Sequence, residues 1–159
     1  MLVTALEQVR QLLDVVACSI WLVDPAREKL TCRQATGPQC ELVRGWRLAW
    51  GEGLVGWVAQ HGESLNVPDV RQDPRHYKGV DQRTGLPLRA ILTVPLQVKG
   101  QVLGVIQAVD ARVDRFTPAN LTLLESLAAT ATAALENARL YEQVRQDAAA
   151  LEQRIAQRA

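Results

Sequence analysis

Charge of one sign, long apolar runs, cysteine pairs and aromatic variety are all scarce in this chain of 159 residues. Eighteen Lys and Arg stand against seventeen Asp and Glu, a formal charge of +1, which leaves little for the counterion-release binding on which nucleic-acid proteins depend. No apolar stretch approaches the roughly 20 residues of a membrane helix, and the N-terminus lacks a basic-then-apolar leader pattern. The three cysteines, Cys18, Cys32 and Cys40, contain no CxxC pair. An odd set of that kind suits a reducing compartment better than a disulfide framework, so the expected location is cytoplasmic. His61 and His76 are the only histidines, and neither has Cys, Asp or Glu at ligand spacing, so no metal site is expected. Aromatic residues make up 4% of the chain, and four of them are tryptophans: Trp21, Trp46, Trp50 and Trp57.

What is there reads as one globular domain, with a hydrophobic fraction of 48% and a charged fraction of 22%, at globular averages. Leu2, Leu6, Val9, Leu13 and Val16 step by four and three, the rhythm of a helix with a narrow apolar seam over residues 1–16. Alternation in CSIWLVD, stopped by Asp24-Pro25, predicts a strand, with LTCRQATG as its hairpin partner. WRLAWGEGLVGWVAQHG predicts a short strand, a glycine turn and a two-turn helix ending near Gly62. SLNVPDV reads as a brief strand, and residues 71–87 as a long polar loop of functional character. LRAILTVPLQV and QVLGVIQAVDA, joined by Lys99-Gly100, form the strongest hairpin in the chain. Its second strand alternates Val102, Gly104, Ile106 and Ala108 on one face with Leu103, Val105, Gln107 and Val109 on the other. The missing bulk at Gly104 is expected to let a long helix approach.

Thr117-Pro118 supplies an N-cap and a first-turn proline, and nothing interrupts a single helix over 117–157. Leu124, Ala128, Ala131, Leu135 and Ala138 form a broad stripe suited to a sheet. Tyr141, Val144, Ala148, Leu151 and Ile155 then form a narrower seam suited to a partner helix. The seam Leu2, Leu6, Val9 and Leu13 and this second one have no evident partner within one domain, so a homodimer is expected. Because the chain stops in register, it is expected to be a fragment or short version of a longer protein.

Three stretches in order, GEGLVGWVAQHGESLNVPDV (51–70), LTVPLQVKGQVLGVIQAVD (92–110) and FTPANLTLLESLAATATAALENARLYEQV (116–144), resemble a GAF domain over nearly the whole chain. The resemblance implies an α+β, PAS-like fold: a central antiparallel sheet of five or six strands, terminal helices on one face, and short helices and loops over a pocket on the other. Residues 1–16 would then be a signalling helix, 17–138 the GAF domain and 139–159 a coiled-coil extension. The implied function is that of a non-enzymatic sensor. It binds a small molecule of unknown identity, with no cofactor assigned, and passes the signal through the terminal helices of a dimer to an output domain such as a histidine kinase.

The candidate ligand-binding residues are Trp50, Trp57, Arg75, His76, Tyr77, Arg89, Thr93 and Gln107. They combine flat apolar surface with directed polar groups and a cationic fringe, the mixture that small-molecule sites show. Gly51, Gly53 and Gly56 spell GxGxxG, but the short helix that follows and the early Asp69 do not fit a dinucleotide-binding crossover. Of the signature of cyclic-nucleotide-binding relatives, only Asn66 and Asp69 have counterparts. Covalent bilin attachment through the loop or helix cysteine that bilin-binding relatives use is excluded because all three cysteines precede residue 41. The alternatives are a ligand-free dimerising spacer and a free methionine sulfoxide reductase. The reductase reading lacks a cysteine in the glycine-turn helix, where this chain has GLVG.

Overall fold

A computed structural model describes residues 2–24, 29–38, 40–74 and 88–158, with the side chains of residues 2–5 left outside that description. In chain order the elements are α1 (Leu2–Leu13), β1 (Ala17–Asp24), β2 (Lys29–Thr36), α2 (Cys40–Val43), β3 (Arg47–Ala49), α3 (Gly53–His61), β4 (Leu65–Val67), a 3-10 turn (Val70–Gln72), β5 (Ala90–Val98), β6 (Gln101–Asp110) and α4 (Pro118–Arg158). The six strands form one sheet in the order β3-β2-β1-β6-β5-β4. Every pairing is antiparallel. The α+β architecture with a six-stranded antiparallel sheet that the resemblance implies is therefore the fold observed.

The β5–β6 hairpin organises the sheet. Lys99 (φ 52°) and Gly100 (φ 79°) both take left-handed backbone, the two-residue turn whose twist matches the strands it joins. A register shift between Leu96 and Gln97 sets Gln97 opposite Val102, one extra residue on β6. That bulge corrects the alternation read from the sequence: Val102 packs with the face of Val105, not with Ile106 and Ala108. Gly104 is corrected too. A Cβ there would lie 2.4 Å from the Trp21 carbonyl oxygen of β1, beside the β1 register shift at Ile20/Trp21. The glycine admits a neighbouring strand, not a helix.

One sheet face is covered by α1 and α4. Leu6, Val9 and Leu13 from α1 and Phe116, Leu124 and Ala128 from around α4 close on Cys18, Ile20, Leu92, Val94, Leu96, Ile106 and Ala108. The α1 seam expected to meet a second copy is thus the domain's own core, with Leu13 only 2% exposed. The side chain of Leu2 lies outside the described residues. The helix also ends at Leu13 and does not run to residue 16, because Asp14 adopts φ 53°. Arg112 and Arg115, from the loop before α4, donate to the carbonyls of Leu13 and Asp14, while the Asp110 carboxylate accepts the Val16 amide at 3.1 Å.

At the start of α4, Thr117 Oγ1 accepts the Asn120 amide at 3.2 Å with Pro118 in the first turn, the cap its sequence announces. The stripe expected against the sheet is buried or packed through Leu135. Ala138 is exposed, as is every residue from Asn137 to Arg158.

Candidate functional site

The second face of the sheet carries α3. GEGLVG folds locally as a turn into a helix: Gly51 and Gly53 take positive φ, and the Gly51 amide donates to the Gly56 carbonyl at 3.2 Å. A Cβ on Gly56 would stand 2.9 Å from the Ala49 carbonyl oxygen. The three glycines let the helix start fold tightly onto β3, and in a wholly antiparallel sheet they have no dinucleotide-binding context. Gly62 in left-handed conformation ends the helix, donating to Val58.

Beneath α3 lie two apolar clusters. Toward one end, Trp21, Leu30, Cys32, Leu48 and Val105 meet Val55, Val58 and Ala59, with Trp46, Trp50 and Trp57 at the border. Toward the other, Val67, Val70, Leu88, Ile91 and Val109 meet Leu54. Between them runs a polar row. Gln107 pairs in register with Ser19 on one side and Thr93 on the other, which puts all three side chains on one face. Gln107 Nε2 donates to Thr93 Oγ1 at 3.2 Å, and Trp21 Nε1 donates to Ser19 Oγ at 2.9 Å. Thr93 is wholly buried and Gln107 half-buried. A row of polar groups across three strands, where apolar residues precede and follow on each, leaves hydrogen-bonding capacity inside a low-dielectric surface.

The other sequence-named residues are distributed as follows. Arg75, His76 and Tyr77 lie outside the described residues. Trp57 stacks on His61, rings 4.0 Å apart, and the Trp57 carbonyl lies 2.8 Å from His61 Nδ1. Trp50 borders a cleft of about 460 Å³ with Val23, His61, Gln97, Gln101 and Val102, at the end of α3 remote from Leu54. The sequence reading missed this cleft. Its signal is the pair of glutamines that flanks the Lys99-Gly100 turn.

Arg89 is committed elsewhere. Its guanidinium reaches Asp69 at 3.0 and 2.6 Å, the Arg71 amide donates to the same carboxylate, and the Val70 amide donates to the Arg89 carbonyl at 2.6 Å. These bonds tie the 3-10 turn to the entrance of β5. Hydrogen bonding from Arg89 holds the Asp69 carboxyl down at about 2. A depressed carboxyl stabilises the fold only while ionised, and the contribution disappears as pH falls through the folded-state value. Asp69→Asn should therefore unfold more readily than the unmodified protein at neutral pH, with the gap closing as pH drops from about 4 toward 2. Urea titrations across that range would measure it, and a gap independent of pH would contradict the ion pair. Asn66 is also occupied, donating to the Phe116 carbonyl at 3.1 Å, so both letters shared with the cyclic-nucleotide signature have scaffold roles.

Cys18 and Cys32 are buried on adjacent strands, and burial pushes each thiol up to about 12. Cys32 and Cys40 belong to the cluster under α3, nearer that helix than their place in the sequence suggests. No group of three or more His, Cys, Asp or Glu suited to a metal occurs among the described residues, and no helix there is long and apolar enough to cross a membrane.

A family model described as GAF domain matches residues 1–136. A probable 3',5'-cyclic phosphodiesterase of Caenorhabditis elegans is 30% identical over 145 residues, 86% of this chain and 20% of that protein. Among solved structures, the GAF domain from an Acinetobacter phosphoenolpyruvate-protein phosphotransferase superposes with a TM-score of 0.78 at 25% identity, covering 89% of this chain and 84% of the other. The free methionine-R-sulfoxide reductase from Neisseria meningitidis, in complex with its substrate, superposes at 0.76 with 22% identity, covering 88% and 78%, a likeness of fold. The chain spans a fifth or less of the length of the first curated relatives that it matches.

Proposed function

Since this chain belongs to the GAF domain family, whose members serve as small-molecule-binding sensory modules, we propose that it binds a small molecule over the Ser19–Gln107–Thr93 row and relays occupancy to an output domain. The relay runs through the terminal helices of a dimer. The polar row carries this reading. Ser19, Gln107 and Thr93 interrupt two apolar clusters in register on three strands, and a half-exposed amide set in apolar surroundings is the orienting group that small-molecule sites use. Trp57 borders the apolar cluster at one end of the row. For a signal to result, the ligand must favour one helix arrangement over another, since equal affinity for both shifts nothing.

Native mass spectrometry of freshly purified protein tests the reading. We expect a co-purifying small molecule whose occupancy drops about tenfold in Gln107→Leu, the loss of roughly one well-placed hydrogen bond. Protein that carries no small molecule, and whose melting temperature none in a metabolite panel including cyclic AMP and cyclic GMP shifts, would favour the ligand-free spacer.

The reductase reading fares worse, because a thiol held near 12 supplies almost no thiolate at neutral pH. With free methionine sulfoxide and a thioredoxin system, turnover should not exceed a protein-free control. Turnover lost on Cys18→Ser or Cys32→Ser would reverse that ranking.

A further inference from the structure

We propose that the exposed part of α4 pairs with the same segment of a second copy running antiparallel, in a single register that sets Arg145 against Glu152 and Asp147 against Arg154. The inference rests on the self-association in the proposed function and adds its direction and alignment.

From Asn137 to Arg158 every residue of α4 is exposed, and Tyr141, Val144, Leu151 and Ile155 are 58–68% exposed. With Ala148 they lie on one stripe, three and four residues apart. Such a stripe on an extended helix needs a partner, since an isolated helix in water gains little by ordering itself.

The charges beside the stripe decide how the partner lies. With Tyr141, Ala148 and Ile155 in the first core position of the heptad and Val144 and Leu151 in the second, the flanking positions hold Arg145 and Glu152 on one side and Leu140, Asp147 and Arg154 on the other. In a parallel pair each flank meets the opposite flank one step along. Asp147 would then face Glu152 on both sides of the dimer, and Ala148 would face Ala148, leaving a thin layer in the core.

Antiparallel pairing sets like flanks together and makes the core depend on alignment. If Ala148 lies opposite Val144, Arg145 faces its own copy and so does Asp147. If Ile155 lies opposite Leu151, Glu152 and Arg154 each face themselves. With Ala148 opposite Leu151, every flanking charge meets its opposite: Arg145 with Glu152 and Asp147 with Arg154, each repeated by symmetry. The core layers also match in size, the small Ala148 against Leu151 and Val144 against Ile155. Within its own helix Arg145 only approaches Glu142 at 3.8 Å, and Asp147 only accepts an amide from Gln143. These exposed local contacts are weak enough to yield.

Glu152→Arg gives opposite signs for the two directions. The introduced guanidinium meets Arg145 in the antiparallel register and Asp147 in the parallel one. By sedimentation equilibrium we expect the dimer dissociation constant to rise roughly tenfold, and to return toward its original value when Arg145→Glu is added. All these positions are exposed, so the melting temperature of the domain should be unchanged. A dissociation constant that falls in Glu152→Arg, or does not move, overturns the antiparallel register while leaving the dimer intact. An unmodified protein that is monomeric at tens of micromolar removes the interface itself, and with it the dimeric relay.

Discussion

Leu13→Ala is expected to destabilise the domain by about 2–5 kcal/mol, the usual range for emptying a fully buried leucine site. Leu13 sits at the end of α1 with 2% of its surface exposed, packed among Val9, Val15 and residues of the sheet. At this chain length a loss in the middle of that range lowers the melting temperature by roughly 10 °C. The effect should be the same at high and low protein concentration, because the leucine is covered by its own chain. Differential scanning calorimetry at two concentrations checks both parts. A loss that fades as the protein is concentrated would mean that α1 is covered by a second copy after all.

Leu151→Glu combined with Ile155→Glu should do the reverse, abolishing self-association while leaving the melting temperature of the domain nearly unchanged. Both side chains are about 60% exposed in the single chain. The single chain therefore loses almost no burial when they are replaced. In a paired helix the same changes bury four carboxylates in an apolar seam, and each is costly to desolvate without a partner. Light scattering should give the mass of one chain at concentrations where the unmodified protein is a dimer. A variant that remains dimeric would place the interface elsewhere on the domain.

These two leucine-bearing seams show what the sequence could and could not disclose. Leu6, Val9 and Leu13 repeat with the same three-and-four spacing as Val144, Ala148, Leu151 and Ile155, and periodicity registers only that one helix face is apolar. What covers the α1 face depends on where the chain later brings β1, β2 and α4, information that no local window contains. Elements with their own local chemistry were legible: the Lys99-Gly100 turn, the Thr117-Pro118 cap, the Gly62 helix end and the alternation of Ser19 and Trp21 against Cys18 and Ile20. The bulge opposite Gln97 was not. One extra residue leaves no mark on composition, yet it moves Val102 across the sheet.

The candidate site divides in the same way. Thr93 and Gln107 were legible as polar interruptions on an apolar strand face, but Ser19 completes their row only through the pairing of β1 with β6. Arg89 showed the opposite failure. Its charge suggested a ligand contact, while its partner Asp69 stood twenty residues away in sequence.

Arg112 and Arg115 grip the last carbonyls of α1 from the loop that leads directly into α4, and Asp110 holds the first amide before β1 from the end of β6. The end of one helix and the root of the other are therefore tied to one cluster of bonds, and in the proposed relay the exposed part of α4 is a lever arm. From residue 137 to residue 158 that arm is about 33 Å long at 1.5 Å per residue. A tilt of about 5° at that cluster sweeps its tip through roughly 3 Å, a substantial part of a helical turn of about 5.4 Å. In that relay small adjustments where β6 ends would be magnified by leverage, and the magnification is set by the length of the arm.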